Sequence, residues 1–173
     1  LVSLIIPNSV NTIGSYAFYD NQLTSVILPE GLMIIPNGLF KGNYITSIII
    51  PNSVTSIGEY AFSDNELTSL TIPRGVLEIG NYAFQHNQLT SVIIPNSVII
   101  IGEAAFSSNK LTSIVIPDSV SKVGQALFRS NQLTSVIFPD SVTSIGDYAF
   151  YENQLTDIIL PNNLISIGEH AFD

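Results

Sequence analysis

The sequence has no cysteine and no tryptophan, only five lysines and arginines, and no apolar run longer than four residues. Lack of cysteine removes disulfides, thiolate metal sites and thiol nucleophiles together. It leaves the compartment open, since many exported proteins also lack cysteine. Fourteen acidic residues against five basic ones give a formal net charge of −9. That balance disfavours nucleic acid or an anionic membrane surface as partner. Short apolar runs exclude a membrane-spanning helix, and no signal-peptide pattern is visible. Glycine-rich phosphate loops, the HExxH zinc pattern and basic stripes are also missing. What the chain does have is apolar residues, at 46% of 173 positions and a mean hydropathy of +0.39. Something periodic must disperse them.

The period is 22 residues: prolines recur at 7, 29, 51, 73, 95, 117, 139 and 161, and phenylalanines at 18, 40, 62, 84, 106, 128, 150 and 172. Asparagine follows the same step from Asn21 to Asn153. The chain therefore reads as eight copies starting at residues 1, 23, 45, 67, 89, 111, 133 and 155. Positions 1, 4, 6, 10, 13, 17 and 18 of the unit are apolar in every copy, which makes 56 residues. In the third copy these are Ile45, Ile48, Ile50, Val54, Ile57, Ala61 and Phe62. Such rows are expected when each side chain packs on its counterpart in the next copy, because one copy cannot bury its apolar side alone.

Local structure follows from spacing. Positions 3 to 6 alternate and are β-branched, which predicts a short strand ended by the proline at position 7. Asn-Ser after it is turn chemistry. The glycine at position 14 suggests a positive φ, and positions 15 to 19, such as Glu59 to Ser63, suggest one helical turn aiming Ala and Phe inward. The amide of the position 21 asparagine is suited to satisfy backbone groups in the bend, repeated from coil to coil.

The Leu-x-x-Ile-x-Ile-Pro start, the Ser-Val-x-x-Ile-Gly middle and the Ala-Phe-x-x-Asn end resemble the bacterial BspA-like leucine-rich repeat. The resemblance covers the whole chain. It implies an α/β-type but mostly β solenoid: a right-handed superhelix of eight coils with a parallel sheet on one face. At a strand spacing of about 4.8 Å the stack would be roughly 35–40 Å long. Family members often carry Cys where this chain carries Asn at position 21. The second copy departs most from the pattern, with Pro36 for Gly and Leu39 for Ala, so distortion is expected there. Leu1, Leu4 and Ile6 at one end, and Ile167 and Phe172 at the other, are expected to face solvent. Residues 1–173 thus read as a single domain without polar caps, a piece of a longer array.

In a solenoid, residues one period apart stand side by side. Position 5 should point outward from the strands and holds Ile5, Ile27, Ile49, Thr71, Ile93, Val115, Ile137 and Ile159. Position 3 flanks it with Ser25, Ser47, Ser69, Ser91, Ser113, Ser135 and Asp157. An exposed aliphatic line suggests a binding platform for a protein or glycan, although β-branched residues also favour strands and pack laterally. The tyrosines of position 16 (Tyr16, Tyr60, Tyr82, Tyr148) suit recognition of sugars or proteins, or simply cover the turn. Asp118 and Asp140, and the acids at position 15, lack any calcium-loop pattern and read as solvated charge, so no metal or cofactor is expected. Position 20 places Asp64, His86 and Ser108 in triad order on successive coils, without a nucleophile elbow or oxyanion hole. A chain this regular is expected not to be an enzyme.

Three roles remain. The resemblance implies a surface-associated or extracellular bacterial module that adheres to host proteins or other cells, and the position 5 strip with its polar flank suggests binding through the strand face. A spacer, or an array self-associating end to end through its open ends, is the second. Ice binding is the third, disfavoured by isoleucine where threonine would be expected.

Overall fold

A computed structural model describes all residues, Leu1–Asp173, as eight stacked coils of parallel β-solenoid with no helix. Two sets of short strands run along the stack. The first set lies at positions 3 to 5: Ser3–Ile5, Ser25–Ile27, Leu70–Thr71, Val92–Ile93, Ser113–Val115 and Ser135–Ile137. The second lies at positions 12 and 13: Ile34–Ile35, Ser56–Ile57, Glu78–Ile79, Ile100–Ile101, Lys122–Val123, Ser144–Ile145 and Ser166–Ile167. Every pairing is parallel and shifted by one period, as in Leu4 opposite Val26 and Ile79 opposite Ile101. Parallel strands are thus found in two places, not on one face alone. The sequence signal for the second set was weak because position 12 varies between Ile, Ser, Glu and Lys.

The core matches the apolar columns. All 43 residues of the buried cluster fall in the seven columns, with Leu4, Val10, Ile13, Phe18, Phe138, Leu155, Leu164 and Phe172 half-buried against it. The eight phenylalanines of position 18 form one continuous stack, with centroids 5.4–5.9 Å apart. Among the end residues expected to face solvent, Leu1 and Ile167 do, but Ile6 is buried and Leu4 and Phe172 are half-buried. A single neighbouring coil is enough to cover an inward side chain.

Positions 14 to 20 do not form a helical turn. They make two successive tight turns, with the N–H of position 17 donating to the carbonyl of position 14 (Ala61 to Gly58, 3.3 Å) and that of position 19 to position 16 (Ser63 to Tyr60, 3.1 Å). A positive φ occurs at position 16 in all eight coils, from Tyr16 (59°) to His170 (52°), and at position 20 in the first seven, and not at the position 14 glycines. Each such φ in a non-glycine residue costs about 1–2 kcal/mol, and the bend offsets it with hydrogen bonds to the next coil. The N–H groups of positions 16, 18 and 20 donate to the carbonyls of positions 15, 17 and 19 one coil on. Tyr60 to Asn81, Phe62 to Ala83 and Asp64 to Gln85 are examples, at 2.8–2.9 Å. This zipper is complete at every interface between coils.

Glycine at position 14 serves close approach instead. A Cβ on Gly58, Gly80, Gly102, Gly146 or Gly168 would lie 2.3–2.8 Å from backbone or side-chain atoms of the preceding coil. The expected distortion of the second copy does not occur at its turn. Leu39 donates to Pro36 at 3.3 Å, as Ala61 does to Gly58, and Leu39 is buried. Pro36 simply lacks the N–H that Gly58, Gly80, Gly102, Gly146 and Gly168 donate to the preceding coil, and no position 12–13 strand forms in the first coil.

The position 21 asparagines are the most heavily used polar groups. Asn87 donates from Nδ2 to the carbonyls of Phe62 (2.9 Å), Phe84 (3.2 Å) and Gln85 (3.3 Å), while its Oδ1 accepts from the Leu67 N–H (2.9 Å). Asn43, Asn65, Asn109, Asn131 and Asn153 repeat this pattern between neighbouring bends. A buried bend needs two donors and an acceptor on one short side chain, and only asparagine supplies them.

Candidate functional site

Alternation along positions 4 to 6 sends the flanking side chains into the core and position 5 outward. All eight position 5 residues are exposed, and Ile49, Ile93 and Ile159 retain 87%, 83% and 88% of their surface. Ser25, Ser47, Ser69, Ser91, Ser113, Ser135 and Asp157 are exposed beside them. The structure therefore brings these fifteen strand-face residues onto one surface in regular order.

That surface is not a continuous hydrogen-bonded sheet. Its strands pair two by two, in coils 1 and 2, 4 and 5, and 6 and 7, while coils 3 and 8 stay unpaired at these positions. Where coil 3 stands free, a hollow of about 510 Å³ opens, bordered by Ile27, Ile49, Thr71, Pro51 and Pro73. A second of about 590 Å³ lies between Thr71 and Ile93, with Arg74 at its rim. The apolar strip thus offers two concave seats as well as a line.

On the turn side, Tyr60 and Tyr82 stack at 4.7 Å between centroids, and Tyr148 stacks on His170. Burial raises the Tyr60 phenol above its ordinary value, helped by Tyr82, Glu59, Tyr16 and Asp64. The Lys41 ammonium lies 4.2 Å from the centre of its ring. In the position 20 column, His86 Nδ1 and Asp64 Oδ1 are 2.9 Å apart, but no hydrogen bond joins His86 to Ser108. Ser108 Oγ instead lies 3.5 Å from Ser107 Oγ. Asp and His are brought together, then, and the serine is left out of the constellation. The acids of the other columns act partly as caps for the next coil: Asp147 Oδ1 accepts from the Glu169 N–H at 2.8 Å, and Asp140 Oδ1 from Asn162 at 3.3 Å.

His170 is exposed, and its hydrogen bond to Asp173 raises its pKa above the ordinary 6.5, with the Asp173 and Glu169 charges adding and desolvation opposing. The protonated form is the one held in the folded chain. Its contribution is therefore present below about pH 6.5 and lost as pH rises through the raised value. NMR titration should place the His170 midpoint above 6.5, and Asp173→Asn should return it to the ordinary range. An unchanged midpoint in the variant would exclude the contact as its cause.

The columns, the paired ladders and the bend zipper define a repeat protein of the parallel β-solenoid class, in which any site is built from several coils. Sequence comparison gives the particular kind. The BspA type leucine rich repeat region (6 copies) matches residues 1–110 and 77–173, and the chain belongs to that family. No curated protein sequence matches it. Among solved structures it is similar to a leucine-rich repeat protein from Eubacterium ventriosum (20% identity, TM-score 0.57, 99% of this chain and 58% of the other). It is also similar to the pneumococcal vaccine antigen PcpA (19%, TM-score 0.55, 98% and 59%). A leucine rich cell surface protein from Faecalibacterium prausnitzii gives 24% identity and TM-score 0.53, over 98% and 60%. These likenesses concern the fold, and the chain spans about 60% of the length of each of the three. No helix is long and apolar enough to cross a membrane.

Proposed function

We propose that the chain is a non-enzymatic binding module of a surface-associated bacterial protein, and that it docks a protein partner on its strand face. The observation that supports this reading is the position 5 column: seven aliphatics and one threonine, all exposed, in register along the stack. Soluble proteins rarely leave a contiguous apolar strip uncovered. The serine column beside it supplies a hydrogen-bonding margin, and the hollows at Ile49 and Thr71 supply seats for apolar anchors. A cell-surface protein and a vaccine antigen stand among the structural neighbours, in keeping with an extracellular setting.

The triple variant Ile49→Lys, Ile93→Lys, Ile137→Lys tests it. A screen against extracellular proteins and whole cells should show binding by the wild type and its loss in the variant. Circular dichroism should be unchanged, since none of the three side chains enters the core. Adhesion that survives these changes would place the binding site elsewhere.

A second reading, self-association along the array, is favoured by the exposure of Leu1 in the first coil and of Ile167 in the last, core positions whose counterparts in coils 2 to 7 are buried. Sedimentation across concentration separates the two, because a chain that stays monomeric does not stack.

A further inference from the structure

The column of position 16 rings is broken. Tyr60 and Tyr82 stack in coils 3 and 4, Tyr148 and His170 in coils 7 and 8, and Ala104 and Ala126 occupy the two coils between. From Tyr82 to Tyr148 is three coil steps, roughly 14 Å at a spacing of about 4.8 Å. The missing rings leave a cleft of about 390 Å³. Ala104 and Ala126 form its floor and Tyr82 borders it. At the opposite end Arg129 reaches in, its guanidinium 5.9 Å from the centre of the Tyr148 ring and 5.1 Å from that of Tyr151. Glu103, Gln125, His86 and Ser108 also line it.

A second irregularity coincides with this gap. The position 12–13 ladder is interrupted between Ile100–Ile101 and Lys122–Val123, in coils 5 and 6. Gly102 and Gly146 donate to Ile79 and Val123 one coil back, at 2.8 and 2.9 Å, but Gly124 has no such bond to Ile101. The space beside Gly124 is correspondingly looser, with 3.7 Å to the nearest atom. The position 12–13 ladder is therefore broken between the same two coils that lack the aromatic cover, while the bend zipper stays closed there.

The lining decides the ligand chemistry. Only three of its eleven residues are hydrophobic, which does not suit an apolar peptide anchor. One carboxylate, one guanidinium, two amides, an imidazole and three hydroxyls present donors and acceptors in near balance. Tyr82 adds an aromatic wall of the kind that covers the apolar face of a flat ring. The net charge of −9, with Asp64 and Glu152 in the adjoining column, opposes an anionic ligand. The size lies in the range of small-ligand sites. We propose that this cleft binds an uncharged carbohydrate, with a sugar ring against Tyr82 and its hydroxyls on Glu103, Gln125 and Ser108. The site is separate from the strand face.

Ala126→Tyr is the decisive variant. Tyrosine already stands at this column position with the same positive φ, 55° in Tyr60 and 57° in Tyr148 against 51° in Ala126, so the backbone accepts it. The ring restores the column and fills the cleft. Arg129→Ser is the second variant, and serine occupies the equivalent position as Ser63 and Ser107. The intact chain is screened on an array of neutral and acidic oligosaccharides, and hits are titrated by calorimetry alongside circular dichroism. The expected result is binding of a neutral oligosaccharide that falls at least tenfold in Ala126→Tyr, weakens in Arg129→Ser, and persists in the Ile49, Ile93, Ile137 triple variant. No neutral oligosaccharide bound at millimolar concentration would overturn the proposal. So would binding that Ala126→Tyr leaves unchanged, or a preference for acidic sugars or for peptides at this cleft.

Discussion

Asn87→Ala is expected to lower stability by about 3 kcal/mol, on the order of 10 °C in Tm, as read by urea or thermal unfolding. The Leu67 N–H, which donates to Asn87 Oδ1, loses its partner in a buried bend, and an orphaned buried group alone costs about 1–3 kcal/mol. The Phe62 carbonyl loses its shortest contact, leaving only Asn65 Nδ2 at 3.3 Å. Since solenoid stability includes a term for each pair of neighbouring coils, loss of the bond to Phe62 also weakens the interface between coils 3 and 4. Asn21→Ala is the control. Its side chain is half-exposed, bonds only to Tyr19 and the amino terminus, and should cost within about 0.5 kcal/mol. Equal losses at the two positions would contradict the bridging role.

Two glycines at one column position should respond in opposite directions. In Gly102→Ala the new Cβ would meet the Asn81 backbone nitrogen at 2.3 Å and the Gly80 carbonyl carbon at 2.6 Å, with no room to yield inside the stack. Separation of the coils would strain the bond from Gly102 to Ile79, so a loss of about 3 kcal/mol is expected. In Gly124→Ala the nearest atom is 3.7 Å away, an ordinary contact, and φ is not positive. That change should be neutral or stabilise by about 0.5 kcal/mol, because alanine restricts the unfolded chain. A Gly124→Ala variant as damaged as Gly102→Ala would show that coils 5 and 6 are as tightly apposed as the others.

Much of this was legible in the residues themselves. The core columns could be read because stacking forces like upon like: a position such as Val54 or Ile57 packs on its counterparts at every step, and all must be apolar. The outward strip at Ile49 and Ile93 was legible because strand alternation is strict over three residues. Asn21 to Asn153 announced a polar task in the bend, which the hydrogen bonds then specified. The glycine of position 14 was misread as a conformational residue, since glycine signals positive φ and close approach alike. The cleft at Ala104 and Ala126 was missed for a related reason. Alanine in place of tyrosine is visible in the sequence, but an empty space between rings is visible only when neighbours are placed.

By itself, the sequence determined the period of 22, the seven apolar columns and the outward strip. Each is a statement about which side chains face together, and side-chain identity encodes it directly. Tertiary structure alone decided how the backbones meet: the zipper through positions 16, 18 and 20, positive φ at residues such as Tyr60 and Asp64, and the break in the position 12–13 ladder between coils 5 and 6. Every peptide unit carries the same donor and acceptor whatever its side chain. Which of them bond across a coil depends on shifts of a few tenths of an ångström, and those are settled only when the whole stack has packed.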